Sequence, residues 1–373
     1  MEFQIEKNIF LKGLGKIQGI VEKRNTIPIL ANVLIEATNN GEIQLTATDL
    51  EVGMRANYPA QVEKTGKITV SAKKIYEIIK ELPETILSFK SKENCWIEIK
   101  CGKAVFNIVG LAADEFPHFP TAEETKFLKI DCSKLNSLIE KTALSMSTDE
   151  SKYNLNGIFF NVISEEEKYF LRLVATDGHR LSQIDHCIEQ TNIDELFDGV
   201  IFPRKGITEL KKITDESEDY IEIGIQDNNA VISKDKTLIV MRLVDGDFPD
   251  YKRVIPKNNM HNVVIPRNDF LHVLKRMSIL TSEKSRGIKI SLTLNNVNIS
   301  SSNPELGESH EDLGVDYSGP EMIIGFNVRF MIDILQIQQC ENIILKLNDN
   351  ISPGIIVPDD NDDYLAVIMP MRL

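Results

Sequence analysis

The stretch Ile43-Gln-Leu-Thr-Ala-Thr-Asp49 returns further along the chain as Leu171-Arg-Leu-Val-Ala-Thr-Asp177, and more weakly as Val297-Asn-Ile-Ser-Ser-Ser-Asn303. The copies are about 125 residues apart, which is the length of a domain and not of a solenoid repeat. Each copy alternates apolar and polar residues, a pattern typical of a strand with one buried face. The 373-residue chain therefore contains one unit three times.

Two further elements recur in step with this strand. A strand leading into a helix opens each copy, at Phe3–Val21, Phe127–Met146 and Val263–Met277. A second short strand leads into an amphipathic helix at Lys67–Ile79, Val200–Leu210 and Met322–Leu335. Turns marked by proline close the first two copies, at Asp114–Pro117 and Asp247–Pro249.

This organisation predicts an α+β fold of three tandem similar domains, residues 1–125, 126–258 and 259–373. Each domain should have its helices on one face of antiparallel sheets. Gene triplication without functional meaning would leave the same repeat. Similar domains joined head to tail can, however, close into a ring.

Composition restricts the class of protein. No apolar run approaches the ~20 residues of a membrane span, and the first residues, Met1–Glu6, lack a basic region followed by an apolar stretch. The five cysteines are an odd number without a Cys-x-x-Cys pair, which favours reduced thiols. We expect a cytoplasmic protein.

The net charge of -14 argues against nucleic acid unless the charge is unevenly spread. The six predicted helices together carry about +10, so the remaining residues carry about -24. The predicted helices are residues 8–24, 72–82, 133–146, 204–213, 268–286 and 327–339. Solvated helix faces would explain the lysines equally well, but together with the repeat we favour a basic lining inside a ring.

Five motifs in order resemble the bacterial DNA polymerase III beta subunit family, the beta sliding clamps. They are Ala175-Thr-Asp-Gly-His-Arg-Leu181, Phe202-Pro-Arg-Lys-Gly206, Leu243-Val-Asp-Gly-Asp-Phe-Pro-Asp-Tyr251, Ile324-Gly-Phe-Asn-Val328 with the nearby Tyr317, and Met369-Pro-Met-Arg-Leu373. The resemblance covers the whole chain. It implies a clamp fold in which helices line the inside and antiparallel sheets form the outside of a head-to-tail dimeric ring.

The resemblance also implies a function and partners. A clamp encircles duplex DNA without sequence specificity and tethers the polymerase III alpha subunit, other DNA polymerases and repair proteins, which gives processivity. A clamp-loader complex opens the ring. Such a protein needs no cofactor or metal, is not an enzyme, and would associate with the nucleoid during replication.

Three groups of site residues follow. For DNA contact we predict Arg24 at the end of the first helix, which matches a DNA-contacting arginine of the family, with Lys12, Lys16, Tyr153, Arg204, Lys205 and Lys275. The family's DNA-contacting loop before Tyr153 is acidic here, so Asp149 and Glu150 are left out, and a second aromatic beside Tyr153 is replaced by Asn154. For closure of the dimer we predict Lys74, Lys103, Phe106, Ile108, Ile279, Leu280, Glu305, Glu308 and Glu311.

The third group is a cleft for partner peptides between domains two and three. The ligand implied by the family is an extended segment with Gln, Leu and a final Phe. The matching residues are Leu155, Thr176, Gly178, His179, Arg180, Leu181, Pro249, Arg253, Val254, Val367, Met369, Pro370, Met371, Arg372 and Leu373. Their leucine, valine, proline and methionine side chains suit burial of a short peptide. Pro353 stands where the family often has a small polar residue, so it is excluded.

Two alternatives from other classes remain at this point. A hydrolase could use Asp177 and His179 as orienter and general base, but the copy at Asp49 lacks the histidine, and no nucleophile motif or phosphate-binding loop is present. A peptide-binding scaffold that never meets DNA would not need basic helices. An assay of His179→Ala and retention on circular DNA would separate the three.

Overall fold

The computed structural model describes residues 1–21, 27–120, 125–189, 197–215, 219–257, 261–282, 286–361 and 363–372. Six helices occur in these ranges: α1 Lys7–Ile17, α2 Ala72–Glu81, α3 Cys132–Ala143, α4 Arg204–Asp215, α5 Arg267–Met277 and α6 Val328–Ile337. Each directly follows a strand, which confirms the six strand–helix pairs predicted from the repeat. None of these helices is long and apolar enough to cross a membrane.

The strands fall into three similar sets. The first is β1 Glu2–Glu6, β2 Asn32–Ala37, β3 Glu42–Thr48, β4 Val52–Pro59, β5 Gln61–Lys64, β6 Gly66–Ser71, β7 Ile86–Ser91, β8 Trp96–Cys101 and β9 Ala104–Leu111. The second is β10 Phe127–Asp131, β11 Gly157–Glu165, β12 Lys168–Thr176, β13 Arg180–Ile188, β14 Val200–Pro203, β15 Tyr220–Gln226, β16 Asn229–Lys234 and β17 Thr237–Arg242. The third is β18 His261–Pro266, β19 Gly287–Thr293, β20 Asn296–Asn303, β21 Gly307–Gly314, β22 Met322–Asn327, β23 Asn342–Leu347, β24 Gly354–Pro358 and β25 Tyr364–Ile368.

Two predicted helices end seven and nine residues earlier than expected, whereas the other four end within three residues of their predicted limits. The first was predicted to reach residue 24, but α1 ends at Ile17, where the Gln18 amide donates to the carbonyls of Leu14 and Gly15 at 3.2 and 3.3 Å. Glycines at 13, 15 and 19 weaken the helix here because glycine loses the most backbone entropy. The helix predicted to reach residue 286 ends at Met277 and continues only as a 3-10 turn, Ser278–Leu280.

Contacts divide the chain into two compact units, each with its own sheets. Met1–Ser133 and Lys205–Leu243 form the first unit. Its antiparallel sheet has thirteen strands in the order β10-β15-β16-β17-β4-β3-β2-β6-β9-β8-β7-β1-β5. β17 from the second repeat pairs with β4 from the first, with Ile239 opposite Met54.

Lys134–Arg204 and Val244–Leu373 form the second unit. It contains an eight-stranded sheet, β14-β11-β12-β13-β25-β24-β23-β18, and a four-stranded sheet, β21-β20-β19-β22. Here β13 of the second repeat pairs with β25 of the third, with Ser182 opposite Ala366. The second repeat therefore contributes strands to both units, because its sheets are each hydrogen-bonded to a neighbouring repeat.

A buried polar cluster lies at the β13–β25 pairing. The hydroxyl groups of Ser145 and Ser182 are 2.8 Å apart, and that of Ser182 lies 3.3 Å from the hydroxyl of Tyr364. Burial raises the pKa of Tyr364 to about 12. The tyrosine therefore stays neutral and holds two repeats together by hydrogen bonding.

The repeated Thr-Asp motif forms the same turn in the first two copies. In the first, the Asp49 carboxylate accepts from the amides of Glu51 and Val52 at 3.0 and 2.7 Å. The residue after the aspartate has positive φ in both copies, 78° at Leu50 and 90° at Gly178. In the third copy the side chain of Asn303 accepts from the Glu305 amide at 2.9 Å. The aspartate or asparagine side chain therefore has the same structural role in each copy, which is to close the loop after the strand.

We predict that Asp49→Ala lowers the free energy of unfolding by about 2–4 kcal/mol, because two backbone amides and the ammonium of Lys205 lose a carboxylate that is only 3% exposed. Trp96, the single tryptophan, lies in the same unit and reports its unfolding in urea. Glu84→Ala, at an exposed carboxylate, is the control. An equal loss in both variants would contradict the structural role of Asp49.

Candidate functional site

The turn between β12 and β13 forms one wall of the candidate site. The Thr176 hydroxyl donates to the Arg180 carbonyl at 2.7 Å and accepts from the Gly178 amide at 3.1 Å. The Asp177 carboxylate accepts from the amides of His179 and Arg180 at 2.9 and 3.0 Å. These bonds fix the turn and leave the side chain of His179 exposed. Asp177 therefore serves the turn, which weakens the hydrolase interpretation of Asp177 and His179.

A cavity of about 140 Å³ opens beside this turn. It is lined by residues of β12, β13 and β25, by residues just after β12 and β25, by the 3-10 turn Tyr153–Leu155 and by the connector after β17. Ten of the predicted residues line it: Leu155, Thr176, Gly178, His179, Arg180, Leu181, Pro249, Val254, Val367 and Met369. Leu181, Val367 and Tyr251 belong to a buried apolar cluster. The cavity is mainly apolar with a polar rim, as in sites that take short peptides.

Arg180 is held in place from the third repeat. Its guanidinium contacts the Asp177 carboxylate at 3.2 Å and the Asp333 carboxylate at 2.9 Å. It also lies 4.4 Å above the centre of the Phe330 ring. Asp333 is bound in turn by Arg329 at 3.0 Å. Arg180 is therefore a positioning residue that fixes the turn against α6, and its guanidinium is already occupied.

The C-terminal segment leaves the cavity after Met369. The Met369 amide donates to the His179 carbonyl at 2.9 Å, and the Met371 amide donates to the Gly325 carbonyl at 2.8 Å. Met371 and Arg372 thus follow β22 and border a different cavity on the four-stranded sheet. Pro370 lies between the two cavities along the chain, and Leu373 is outside the described residues.

Sequence reasoning missed two residues of the cavity, Asp250 and Tyr251. Arg253, which was predicted, is exposed and pairs with Asp250 at 2.7 Å. Both belong to the Pro249-Asp-Tyr251 sequence of the connector after β17, and the 3-10 turn Tyr251–Arg253 explains why Tyr251 is buried and Arg253 is exposed. A turn of three residues cannot be read from periodicity, so this assignment needed coordinates.

Three of the predicted DNA contacts lie in the first unit. Lys12 and Lys16 line a groove of about 380 Å³, and the structure adds Lys212, which the sequence analysis did not select. Lys205 donates to the Ile20 carbonyl at 2.9 Å and pairs with Asp49. Its ammonium therefore supports the local fold as well. Arg24 lies outside the described residues.

The remaining predicted DNA contacts, Tyr153, Arg204 and Lys275, lie in the second unit. Tyr153 is 60% exposed, and Lys275 is exposed on α5. Arg204 donates to the Asn156 side chain at 3.0 Å and to the carbonyls of Met146 and Ser147 at 3.2 and 2.9 Å. These three acceptors use much of its guanidinium, so Arg204 has less capacity for a phosphate than Lys275.

Four of the predicted dimer residues, Phe106, Ile108, Glu308 and Glu311, lie on two partly unpaired edge strands, β9 and β21. Phe106 and Ile108 are on β9, which pairs with β8 throughout but meets β6 only at Gly110 and Leu111. Lys74 and Lys103 are exposed in the same unit. In the second unit Ile279 is 72% exposed, next to the half-buried Leu280.

The acidic residues of that prediction surround β21. Within the described part of the chain this strand pairs with β20 alone. Glu308 and Glu311 lie on it, and Glu305 is in the preceding turn. Glu311 is bound by Arg276 at 2.5 and 2.9 Å, which holds the pKa of its carboxyl below the usual range. Glu311 is thus already neutralised, whereas Glu305 and Glu308 are exposed.

One group of side chains among the described residues could hold a metal ion, namely Cys340, Asp359 and Asp360, with ligand atoms within 4.8 Å of one another. Burial, reinforced by the two carboxylates, raises the pKa of the Cys340 thiol. A protonated thiol is a poor metal ligand, so we assign no metal to this group.

Comparison with known proteins covers the entire chain. Three family profiles match in succession: the N-terminal domain of the DNA polymerase III beta subunit at residues 1–120, the central domain at 129–250 and the C-terminal domain at 252–372. The beta sliding clamps of Pseudomonas putida and Escherichia coli are each 35% identical over the full length of both chains.

Solved structures agree with the sequences. The sliding clamp of Bartonella birtlesii, which was crystallised bound to griselimycin, superposes with a TM-score of 0.95 at 34% identity over all of both chains. The beta subunit of Pseudomonas aeruginosa gives 0.93 at 34% identity, again over all of both chains. The chain therefore belongs to the DNA polymerase III beta subunit family, the non-catalytic beta sliding clamps that act as processivity factors.

Proposed function

We propose that two copies of this chain pair head to tail into a ring around duplex DNA, and that replication and repair proteins dock short peptides in the cavity beside Thr176–Leu181. The repeats that build the ring are residues 1–125, 126–258 and 259–373. The observation that carries the proposal is the presence of two complementary strand edges, β9 and β21, each with unpaired backbone groups.

The chemistry of the two edges is matched. An open edge tends to add another strand, since its amides and carbonyls lack partners. On β9, Phe106 and Ile108 stand opposite the buried residues Ile99 and Ile97, so they share the core face. On β21, Glu311 faces α5 through Arg276. Joining β9 of one copy to β21 of the other would bury Phe106 and Ile108 beside Ile279.

Charge would set the register of this pairing. Lys103 directly precedes β9 and Lys74 lies on α2 of the same unit, whereas Glu305 precedes β21 and Glu308 lies on it. Exposed ion pairs contribute only about 0–1 kcal/mol each. The apolar side chains should therefore supply most of the association free energy, and the charges should favour the head-to-tail arrangement over its alternatives.

We predict that Ile279→Ala combined with Leu280→Ala gives folded monomers, because the exposed Ile279 and the half-buried Leu280 lose most of the apolar area that they would bury against β9. Sedimentation equilibrium measures the mass, and circular dichroism checks the fold. A matched control is Leu294→Ala with Ile351→Ala, two apolar side chains that are 70% and 79% exposed and lie on neither β9 nor β21. A dimer mass in the first double variant would show that the interface lies elsewhere.

DNA would meet the helices and not the strands. The observed helices keep the net positive charge that was predicted for them, since α1 contributes Lys7, Lys12 and Lys16 without an acid and α5 contributes Arg267, Lys275 and Arg276 against Asp269. Lys7 is buried and donates to the Leu82 carbonyl, so it is not a phosphate contact. Lysines on mobile stems neutralise phosphates without fixing a sequence, as sliding requires.

Of the proposed contacts, Arg24, Lys12, Lys16, Tyr153, Arg204, Lys205 and Lys275, the exposed lysines are the sharpest to test. We predict that Lys12→Ala with Lys275→Ala reduces retention on nicked circular DNA several-fold and lowers the slope of log K against log salt by about 1–2. Dimer mass should not change. Lys168→Ala with Lys257→Ala, at exposed lysines on no helix, is the control. Equal slopes for both double variants would argue against contacts through the helices.

The cavity fits the docking of a peptide with Gln, Leu and a final Phe. Leu155, Leu181 and Val367 offer apolar walls, Val254 and Met369 are exposed at the rim, and His179 and the backbone of the fixed turn offer polar groups. Burial of two or three apolar side chains at about 1.5–3 kcal/mol each, less the ordering of the peptide, suggests an affinity of order micromolar.

We predict that Met369→Asp weakens binding of such a peptide at least about tenfold, since a carboxylate replaces an apolar rim residue. Fluorescence anisotropy with a labelled peptide measures the affinity. Ile351→Asp makes the same kind of change at an apolar residue of this unit that does not line the cavity. If the two variants bind alike, the docking site is not this cavity.

We also place the protein in the cytoplasm, at the nucleoid during replication.

A further inference from the structure

We propose that the exposed face of the four-stranded sheet, which carries Lys289, Ser300 and His310, is a second binding site for a partner peptide. It takes acidic residues next to the docking core, the part of the peptide that binds in the cavity. This inference rests on the proposed docking of peptides in the cavity beside Thr176–Leu181. The site is a groove of about 590 Å³ lined by Lys289, Ser300, Ser302, Glu308, His310 and Arg372 among others. It is more than a flat sheet face, and the proposed function uses only one of its residues, Glu308, at the dimer contact.

The shape of the groove follows from strand register. Lys289 stands opposite Gly325 on one side and Ser300 on the other, and Ser300 stands opposite His310. Met371 continues this row beyond Gly325 through its backbone bridge. The row crosses four strand spacings, or about 19 Å. Gly325 and Gly287 have no side chains, which leaves a trough between Lys289 and the C-terminal segment.

The charge of the groove is positive. Lys289 and Arg372 are exposed and, among the described residues, neither has an ion pair or side-chain hydrogen bond. The ring of His310 and the hydroxyl groups of Ser300 and Ser302 can also donate hydrogen bonds to an anion. The single carboxylate that lines it is Glu308. A protein with a net charge of -14 thus displays a local basic surface here, and such a surface complements carboxylates.

The position of the groove selects the occupant. The C-terminal segment borders both sites, since Met369 lines the first cavity and Met371 and Arg372 line the groove. Two residues of extended chain span about 7 Å. A peptide seated against Met369 can therefore place a neighbouring residue over Arg372 and Lys289 without a long linker. Acidic residues on that flank would add affinity and would let the clamp distinguish partners that share one docking core.

The test compares three labelled peptides on the full chain by fluorescence anisotropy. All three share a core with Gln, Leu and a final Phe. The first carries three Gln as a neutral flank, the second carries three Glu before the core, and the third carries three Glu after it. We expect one acidic peptide to bind about fivefold more tightly than the Gln peptide at low salt, with the gain lost at high salt. Lys289→Glu should abolish the gain and leave the Gln peptide unaffected. Lys289→Arg should keep it, and Lys257→Glu, at an exposed lysine outside the groove, should not change it.

The outcomes separate this inference from the proposed function. If the Gln peptide itself does not bind, peptide docking in the cavity is wrong. If it binds but neither acidic flank adds affinity, the groove proposal alone is overturned. It is overturned too if the gain survives Lys289→Glu, or if a short duplex DNA binds the wild type through Lys289 and displaces the acidic peptide.

Discussion

The pairing of strand edges is the constraint on which the rest of this molecule depends. A β-strand with an open edge has amides and carbonyls that need partners. The second repeat meets that need on both sides, through β17 on β4 in one unit and β13 on β25 in the other. Consequently the three repeats are not three separate compact bodies. The compact units cut through the second repeat, because continuous hydrogen bonding within a sheet is a tighter link than the sequence boundary between repeats. The same need is the reason that we propose β9 and β21 as the edges to which another copy adds.

The sequence allowed the elements to be predicted, but it did not set all their limits. The repeated alternation at Ile43–Asp49 identifies strands, and the strand-then-helix order identifies all six helices, because periodicity is a local property. The ends of α1 and α5 were placed too far along the chain. Basic residues continue beyond Ile17 and Met277, and charge was mistaken for helix. Helix ends depend on glycine and on backbone acceptors, which composition does not reveal.

The candidate site shows the same division. Most of the cavity residues come from motifs that are contiguous in sequence, so resemblance placed them together. The exceptions depend on the path of the chain in three dimensions. Met371 and Arg372 turn away to follow β22, and Tyr251 turns inward. Arg204 and Lys205 were selected for their charge, yet each binds carbonyls of its own chain. A basic residue in a sequence is a possible phosphate ligand only when its own fold has not already used its donors.

The uneven charge finally explains how an acidic protein can surround DNA. Acidic strands and loops repel phosphates, which leaves attraction of DNA to the basic helices. The helices carry the exceptions, Lys12, Lys16, Lys212 and Lys275, and flexible lysine side chains do not supply the fixed geometry that reading a base sequence needs. Weak and delocalised attraction is the appropriate regime, because an exposed lysine exchanges readily between successive phosphates. Topological closure then supplies the retention that these contacts do not. A clamp built in this way needs strong bonds at its strand edges and weak ones toward its DNA, and β9 and β21 present the backbone groups that can make the strong ones.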